Sequence, residues 1–470
     1  MRKPNILVVV MDTTRADHLS CYGYGRETTP NLDRFADEGT RFENAISPAA
    51  WTLPAHMSLF SGLLPSEHGV LHGEYSQRDG VTMFPEQLSE AGYRTAAFSN
   101  NPWVSASYGF DRGIDHFVDV YREHVHKYKS GVGQMLTKLK KALLLSDTGA
   151  ASTNRELQTW LKAGDDETPF FAFLNYMEPH QVYTPRRPYH RKYLDGGPLT
   201  PYREVFKNRN IHRDRGKIFS GERELTSEEV DSMEALYDGE LSYLDAKLGE
   251  LFEWMQSEGL YEDTFILVVG DHGEEFCEHE PLGHQIVDHH FALYDSIVRI
   301  PMMARLPGVF KADTVDAPVQ LTDLPPTLSD LIEDPAVDLT GGMSAQSLCE
   351  PDPDRIALSE YRTPPPQIAS LSEHAPSFDW SQYEVDLRMA RSRTQKLVHY
   401  CSRGREELYD LVADPGEQRD VRGSDTPDER LKDALAAWDD ALGSPASNGG
   451  VGPGQQDSDV QEHLKDLGYL

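Results

Sequence analysis

The sequence predicts an α/β fold: a mostly parallel sheet flanked by helices, followed by a smaller α+β domain at the C-terminal end. Two short apolar runs, Asn5–Met11 and Thr264–Gly270, are rich in branched residues, which is typical of strands buried on both faces of a parallel sheet. A carboxylate follows each run directly, Asp12 after the first and Asp271 after the second. Since ligands bind beyond the carboxyl ends of such strands, we expect both carboxylates at one edge of the sheet.

Residues 1 to about 120 continue this alternation of strands and helices. The apolar spacing predicts a helix around residues 31–36, and an apolar run predicts a strand over 95–100. Residues 121–165 are interpreted as an insertion, in which 135–145 form a basic amphipathic helix. This helix could cover the site or touch a membrane surface, although packing against acidic neighbours within the chain is favoured.

The middle of the chain is predicted to add a strand, a long loop and a long helix. The strand covers residues 169–176 and leads to His180. Residues 185–225 are basic and lack periodicity, so we interpret them as a surface loop. Leucines on one side predict a helix from about Ser227 to Ser257, and residues 293–301 lead into a further strand.

A Pro/Asp-rich stretch at residues 349–354 marks the predicted domain boundary. The large domain is therefore predicted to span residues 1–345, and the small C-terminal domain residues 346–443. Residues 444–470 are a Gly/Ser/Asp-rich linker followed by a terminal motif. The small domain is predicted to contain two strands of an antiparallel sheet and a helix, at 356–361, 394–400 and 431–442.

The 470-residue chain is strongly acidic, with 77 Asp and Glu residues against 45 Lys and Arg and a net charge of −32. This charge excludes a nucleic-acid partner, because nucleic-acid binding needs a basic face. An anionic substrate would be repelled by an acidic pocket, so the excess acid is interpreted as a solvated surface shell. Such a shell is typical of salt-adapted proteins, and we predict a halophilic source.

Salt is expected to stabilise the folded chain. The Debye length falls to about 3 Å at 1 M salt, so surface carboxylates then stop repelling one another. The melting temperature, followed by circular dichroism, should therefore rise as KCl increases from low to molar concentration. A melting temperature that stays constant over this range would contradict the halophile hypothesis.

No targeting or membrane segment is predicted. The first apolar run is short and ends at Asp12, so it is interpreted as structure rather than as a secretory signal. No run approaches the roughly 18 apolar residues of a membrane helix, and membrane contact is not expected. A cytoplasmic location follows as a prediction, whereas the oligomeric state is left open. The four cysteines lack CxxC spacing, which predicts neither a zinc site nor a disulfide framework: Cys21, Cys277, Cys349 and Cys401.

The polar residues after the two apolar runs could bind a metal. Asp12, Asp271 and His272, with a nearby hydroxyl, offer the oxygen and imidazole ligands of a divalent cation. Each aspartate could instead cap a helix, which is common after a strand. Both interpretations place these side chains at the carboxyl edge of the sheet.

Residues 51–62, WTLPAHMSLFSG, resemble the nucleophile signature of the sulfatases, in which Cys or Ser is followed by x-Pro-x-Arg and a run ending in Ser/Thr-Gly. Thr52 stands at the nucleophile position and His56 at the arginine position. Residues 407–417 and the terminal motif are similar to later signatures of the family. The resemblance covers nearly the whole chain, and it implies an alkaline-phosphatase-like fold with residues 1–345 as the catalytic domain.

The resemblance implies a metal-dependent hydrolase of sulfate or phosphate esters, acting on a small-molecule or glycan anionic ester. Thr52 carries a β-methyl, so its oxidation would give a ketone, and the formylglycine of sulfatases is not expected. Thr52 is instead predicted to be the nucleophile, as in family members that transfer phosphoryl groups through a threonine. One divalent ion, Mn, Ca, Mg or Zn, is predicted to bind four residues: Asp12, Thr52, Asp271 and His272.

The resemblance also implies that several histidines are candidate active-site residues. His180 aligns with a residue that contacts the leaving group, so it is a candidate general acid, with a core or capping role as the alternative. His284 and His290 both fit the position of a further pocket residue, and His284 is favoured. His56 could hold the nucleophile or donate to a non-bridging ester oxygen, with a packing role as the alternative.

The charge of the predicted pocket bears on the substrate. Asn100 or Asn101 stands near the position where sulfatases carry a Lys and a His, so the pocket has fewer cations. Such a pocket suits a monoanion, either a sulfate ester or a phosphodiester, better than a phosphate monoester dianion. A sulfated threonine lacks the geminal hydroxyl by which formylglycine hydrate expels sulfate. The mechanism therefore favours a phosphodiester or phosphonate ester, while the family name favours a sulfate ester.

Two other functions remain open. A transferase of the lipoteichoic-acid or phosphoethanolamine type would hand the phosphoryl-linked group to an alcohol rather than to water. A non-catalytic binding protein would keep the fold without the reaction. The intact set of Asp12, Asp271 and His272 argues against the second of these.

Overall fold

The computed structural model describes residues 3–71, 75–122, 143–146, 148–165, 167–332, 334, 337–363 and 365–442. Most of the basic helix predicted at 135–145 lies outside these ranges, and so does the whole of 444–470. The described residues contain a large, mostly parallel sheet and a small antiparallel sheet, which confirms the predicted fold class.

Within the described ranges, nine strands form the large sheet. These strands are β1 (Asn5–Met11), β2 (Thr40–Ile46), β3 (Arg94–Ser99), β4 (His116–Asp119), β5 (Phe170–Tyr176), β6 (Thr264–Gly270), β9 (Arg299–Ile300), β10 (Met302–Arg305) and β11 (Asp313–Gln320). A separate ribbon is made by β7 (Glu275–Phe276) and β8 (Val287–Asp288). The order across the large sheet is β11-β2-β10-β6-β1-β5-β3-β4, and β9 pairs with β2.

The centre of the large sheet is parallel and fully buried. β1 pairs in parallel with β5 and β6, β3 pairs in parallel with β4 and β5, and β10 is antiparallel to its two neighbours. Every residue of β1, β5 and β6 is buried, which explains their continuous apolar runs. Since β1, β3, β5 and β6 point the same way, their carboxyl ends meet at one edge.

Twelve α-helices are found among the described residues. They include α1 (Pro30–Glu38), α2 (Thr52–Ser61), α3 (Pro65–His68), α4 (Phe84–Glu90), α5 (Ala150–Lys162), α6 (Thr200–Arg213), α7 (Arg215–Phe219), α8 (Ser227–Ser257), α9 (Asp295–Val298), α10 (Leu324–Ile332), α11 (Pro365–Ser372) and α12 (Glu429–Leu442). α8 has the predicted bounds, and it packs on α1 and α5, while α5 contacts β3 and β5. Among the described residues, no helix has both the length and the apolar character needed to cross a membrane.

The prediction of one long loop over residues 185–225 is wrong, because α6 and α7 lie within it. Val205 and Ile211 of α6 are buried, but so are Glu204 and Asn208. Polar side chains therefore share the buried side of the helix with apolar ones. This mixture hides the apolar periodicity that would have indicated a helix.

The small sheet consists of four antiparallel strands in the order β12 (Ala357–Arg362), β13 (Asp386–Arg391), β14 (Gln395–Tyr400) and β15 (Arg405–Asp410). α12 packs against β13 and β14. The indole of Trp438 on α12 is fully buried, and its Nε1 donates to Ser66 Oγ at 3.0 Å. This bond ties the helix of the small sheet to the chain just after α2.

A buried ion-pair cluster also joins β14 to α9 and to the chain after β15, and its loss should destabilise the protein. Lys396 Nζ lies 2.8 Å from Asp295 Oδ1 and 2.7 Å from Glu417 Oε1, with a side chain that is 0% exposed. Lys396→Met should lower the free energy of unfolding by about 3–5 kcal/mol, because it leaves the buried Glu417 carboxylate without its cation, whereas Asp295 keeps Arg391. Lys432→Met, which removes an exposed pair, is the matched control and should cost less than about 1 kcal/mol. Equal midpoints of urea unfolding for the two variants would contradict this expectation.

Candidate active site

Four buried polar side chains follow the parallel strands at their shared carboxyl edge. They come after or at the end of β1, β3, β5 and β6, and each is at most 1% exposed: Asp12, Asn101, Asn175 and Asp271. The sheet therefore brings together residues that are more than 250 positions apart in the chain. This edge is where α/β sheets bind their ligands.

Thr52 is placed at the same edge by α2, whose first residue it is. Trp51, the residue before it, is in extended conformation, so the chain turns sharply into the helix at this point. Thr52 Oγ1 lies 3.3 Å from His272 Nε2 and 3.5 Å from Asn101 Nδ2. The positive end of the helix dipole at this position favours negative charge.

Asp12, Asp271 and His272 form a cluster that could hold a metal ion, since one ligand atom from each lies within 4.8 Å of the others. Asp271 Oδ1 accepts hydrogen bonds from the backbone N–H groups of Thr13 (2.9 Å) and His272 (2.8 Å). Its Oδ2 is buried and accepts no hydrogen bond from the described residues. A buried carboxylate oxygen of this kind normally has a partner, and a cation would supply it. The donor set therefore fits a divalent cation.

The proton on His272 can be assigned from its neighbours. Nδ1 lies 3.0 Å from the carbonyl oxygen of Gly273, which only accepts, so Nδ1 carries the hydrogen. Nε2 therefore presents its lone pair toward Thr52 Oγ1 at 3.3 Å and Asp271 Oδ2 at 3.4 Å. Burial, with the nearby imidazole of His289, lowers the pKa of His272 and keeps the ring neutral. A neutral imidazole held in this way is the form that binds metals.

The two carboxylates of this cluster repel each other. Burial and the charge of Asp12 raise the pKa of Asp271 well above its usual value. Asn101 offsets part of the charge by donating from Nδ2 to Asp12 Oδ2 at 2.6 Å. Asn100, the other residue considered from the sequence, instead donates to Thr153 Oγ1 at 2.6 Å and points away from the nucleophile.

His56 lies one helical turn after Thr52 and is fully buried. Its Nδ1 lies 2.9 Å from the carbonyl oxygen of Thr52, so this nitrogen donates, and Nε2 accepts from Asn175 Nδ2 at 3.3 Å. Burial lowers the pKa of His56 although Asp12 acts in the opposite direction. The ring is therefore neutral and fixes the backbone beneath the Thr52 hydroxyl.

Further histidines extend the site on the side of His272. The ring centroid of His289 lies 4.3 Å from that of His272 and 5.8 Å from that of His180. His284, by contrast, packs its ring against Phe378 at 5.8 Å. The structure thus brings His180 together with His289, a residue that the sequence reasoning did not name.

His290 belongs to the same group, since its ring lies 4.6 Å from that of His289. Burial lowers the pKa of His290 to about 3, although the carboxylate of Asp288 opposes this shift. Of the two histidines that the sequence left as alternatives, His290 is the one placed beside the site. The signal for both residues was the run Asp288-His289-His290, which begins at the last residue of β8, where positive φ angles at Asp288 (126°) and Phe291 (70°) reverse the chain.

The family model described as Sulfatase matches residues 4–334, which is more than half of the chain. The chain belongs to the sulfatase family. This sulfatase-family protein is 23% identical to an arylsulfatase of Clostridium perfringens, with 91% of its own length and 92% of the relative covered. It is 26% identical to a choline-sulfatase of Rhizobium meliloti, with 88% and 81% covered.

The fold of this sulfatase-family protein is also similar to solved structures. The phosphonate monoester hydrolase SpPMH from Silicibacter pomeroyi matches with a TM-score of 0.68 at 18% identity, covering 93% of this chain and 94% of that one. The predicted sulfatase-like fold is thus confirmed. Membership of the family makes ester hydrolase the enzyme class of this protein, as the sequence predicts.

Proposed function

We propose that this protein is a metal-dependent hydrolase of phosphate or sulfate esters in which Thr52 is the nucleophile. The position of the Thr52 hydroxyl carries the proposal. It lies at the start of α2, 3.3 Å from His272 Nε2, and faces the cluster formed with Asp12 and Asp271. Nucleophilic hydroxyls in enzymes are activated by such neighbours.

Side chains around Thr52 hold it for attack. Asn101 Nδ2 donates to Asp12 Oδ2 and also lies 3.5 Å from Thr52 Oγ1, so it links the nucleophile to the carboxylate. His56 donates to the Thr52 carbonyl oxygen and fixes the first turn of α2. These contacts fix the position of Oγ1, which favours attack because a held nucleophile reacts without a further loss of orientational freedom.

In the proposed reaction, Thr52 loses its hydroxyl proton to solvent, and Oγ1 forms a bond to the phosphorus while the bond from phosphorus to the leaving oxygen breaks. His180 acts in its doubly protonated form: Nδ1 donates to the carbonyl oxygen of Gln181 at 2.7 Å, and Nε2 gives its proton to the departing alcohol and later takes one from the attacking water. The first products are an alcohol and a threonine ester of the phosphoryl group. Water then attacks the same phosphorus and restores the Thr52 hydroxyl.

A divalent cation would be held by Asp12, Thr52, Asp271 and His272. When bound, it supplies charge neutralisation for the ester and lowers the pKa of the Thr52 hydroxyl. The unpartnered Oδ2 of Asp271 and the lone pair of His272 Nε2 support this assignment. Asp12 and Asp271 repel each other without a cation, so a bound cation would stabilise the folded chain.

A phosphodiester or phosphonate ester is the substrate class that we favour over a sulfate ester. Formylglycine hydrate has a second hydroxyl that expels sulfate, whereas Thr52 has a methyl group in its place. A sulfate group on Thr52 could be removed only by attack of water on the sulfur. Phosphoryl-threonine can be hydrolysed by an ordinary second displacement at phosphorus.

Substrates with one common leaving group test this preference. We expect kcat/KM for bis(p-nitrophenyl) phosphate to exceed that for p-nitrophenyl sulfate by at least about tenfold, which corresponds to about 1.4 kcal/mol. p-Nitrophenyl phosphate, a dianion with the same leaving group, is the control for charge. A larger kcat/KM for the sulfate ester would refute the proposed substrate class while leaving the Thr52 assignment open to its own test.

A further inference from the structure

A second group of buried ligand-type side chains lies beside the site already described. It consists of Asp288, His289 and His290, called the Asp288 cluster below. One ligand atom from each lies within 4.8 Å of the others, and none of the three side chains is more than 4% exposed. The proposed reaction makes no use of Asp288 or His290.

Two polar atoms of the Asp288 cluster lack hydrogen-bond partners among the described residues. They are Nδ1 of His290 and Oδ2 of Asp288, and both are buried. Glu274 Oε1 adds a further carboxylate oxygen on the same side, 3.5 Å from His289 Nδ1. Buried polar atoms are rarely left without partners, so the polar groups of this cluster are not fully satisfied by the described residues.

The geometry of the Asp288 cluster suits a cation. Asp288 Oδ1 faces both imidazoles, 3.1 Å from His289 Nδ1 and 3.7 Å from His290 Nε2. Arg215 approaches the other carboxylate oxygen, Oδ2, at 3.7 Å, so it does not stand between Oδ1 and the rings. Zinc binds imidazole and carboxylate ligands at about 2.0–2.2 Å, which places ligand atoms roughly 3–4 Å apart.

We propose that Asp288, His289 and His290 bind a second divalent cation of the imidazole-preferring kind, with zinc as the best match. The His289 ring lies 4.3 Å from that of His272, so this cation is adjacent to the first site. It would add positive charge beside His180, where the leaving group of the ester is expected. The site does not depend on Thr52 being the nucleophile.

The number of metal ions bound per chain tests this proposal directly. The full-length protein is stripped with a chelator, equilibrated with Zn²⁺, passed over a desalting column and analysed by mass spectrometry of the elements. We expect two zinc ions per chain in the wild type, one in His290→Ala, one in Asp12→Ala and none in the double variant. His284→Ala, which removes a histidine packed on Phe378, is the matched control and should keep two.

Cobalt absorption provides a second readout. Titration of the stripped wild type with Co²⁺ should give two increments of visible absorption, and Asp288→Asn, which keeps the shape of the side chain, should give one. Circular dichroism verifies that each variant is folded. One zinc ion in the wild type, or two in folded His290→Ala, would overturn the proposal. Since no substrate is present, failure of the proposed hydrolysis would leave this result unchanged.

Discussion

Replacing Thr52 with valine is expected to lower kcat toward a phosphodiester by at least about a thousandfold. Valine keeps the shape of the side chain but removes the attacking oxygen, and loss of a nucleophile commonly costs this much or more. Thr52→Ser should retain measurable turnover, because its hydroxyl occupies the same position beside His272 Nε2. Steady-state kinetics with a chromogenic phosphodiester measure both effects.

Thr264→Val is the matched control for this substitution. Thr264 is also fully buried, but it begins β6 and so lies at the opposite edge of the sheet from Thr52. Its hydroxyl donates to the Leu260 carbonyl oxygen, so the variant should lose stability and keep kcat. Undiminished turnover in Thr52→Val would rule out the covalent mechanism and indicate direct attack of water on the ester.

Asp271→Asn is expected to stabilise the metal-free protein but to destabilise the protein when metal is bound. Burial and Asp12 raise the pKa of Asp271, so the ionised carboxylate destabilises the metal-free fold. An asparagine can still accept from the Thr13 and His272 N–H groups. Without metal, the variant should therefore be more stable by about 1–3 kcal/mol, whereas kcat should fall at least about a hundredfold. With saturating metal the wild type should become the more stable protein.

The pH dependence of this difference follows from the sign of the pKa shift. The folded chain binds the Asp271 proton more tightly than the unfolded chain, so ionisation favours unfolding. The stability of the metal-free wild type relative to Asp271→Asn should therefore fall as the pH rises above about 4, the ordinary pKa of an aspartate. Thermal unfolding in chelator at several pH values measures this change. A constant difference, or a metal-free variant that is less stable than the wild type, would contradict the electrostatic account.

The sequence predicted those parts of the fold that buried strands and one long helix define. β1, β5 and β6 are uninterrupted apolar runs because both of their faces are covered, and Ser227–Ser257 has the predicted bounds. The position of Asp12 and Asp271 at the carboxyl edge was predicted from the parallel direction of their two strands alone. Such features depend on local pattern and on a general rule of sheet topology.

The remaining features depend on long-range packing that no local pattern carries. The role of Asn175, which donates to His56, results from the register of β5 against β1. His289 and His290 reach the site through a reversal of the chain at positive φ, which spacing cannot reveal for non-glycine residues. His284, favoured from the sequence, is only a few positions away yet packs on a phenylalanine.

The setting of His56 limits what a substitution at position 52 can do. The ring fits between Phe110 and Phe173, at centroid distances of 6.3 Å and 6.0 Å, and the amide of Asn175 completes its hydrogen bonds. An arginine at this position would need more room than the imidazole between these two rings and would replace the nitrogen that accepts from Asn175 with donors only. Exchange of Thr52 for cysteine or serine would therefore not by itself recreate the sulfatase signature, because the environment of position 56 is built for a neutral imidazole.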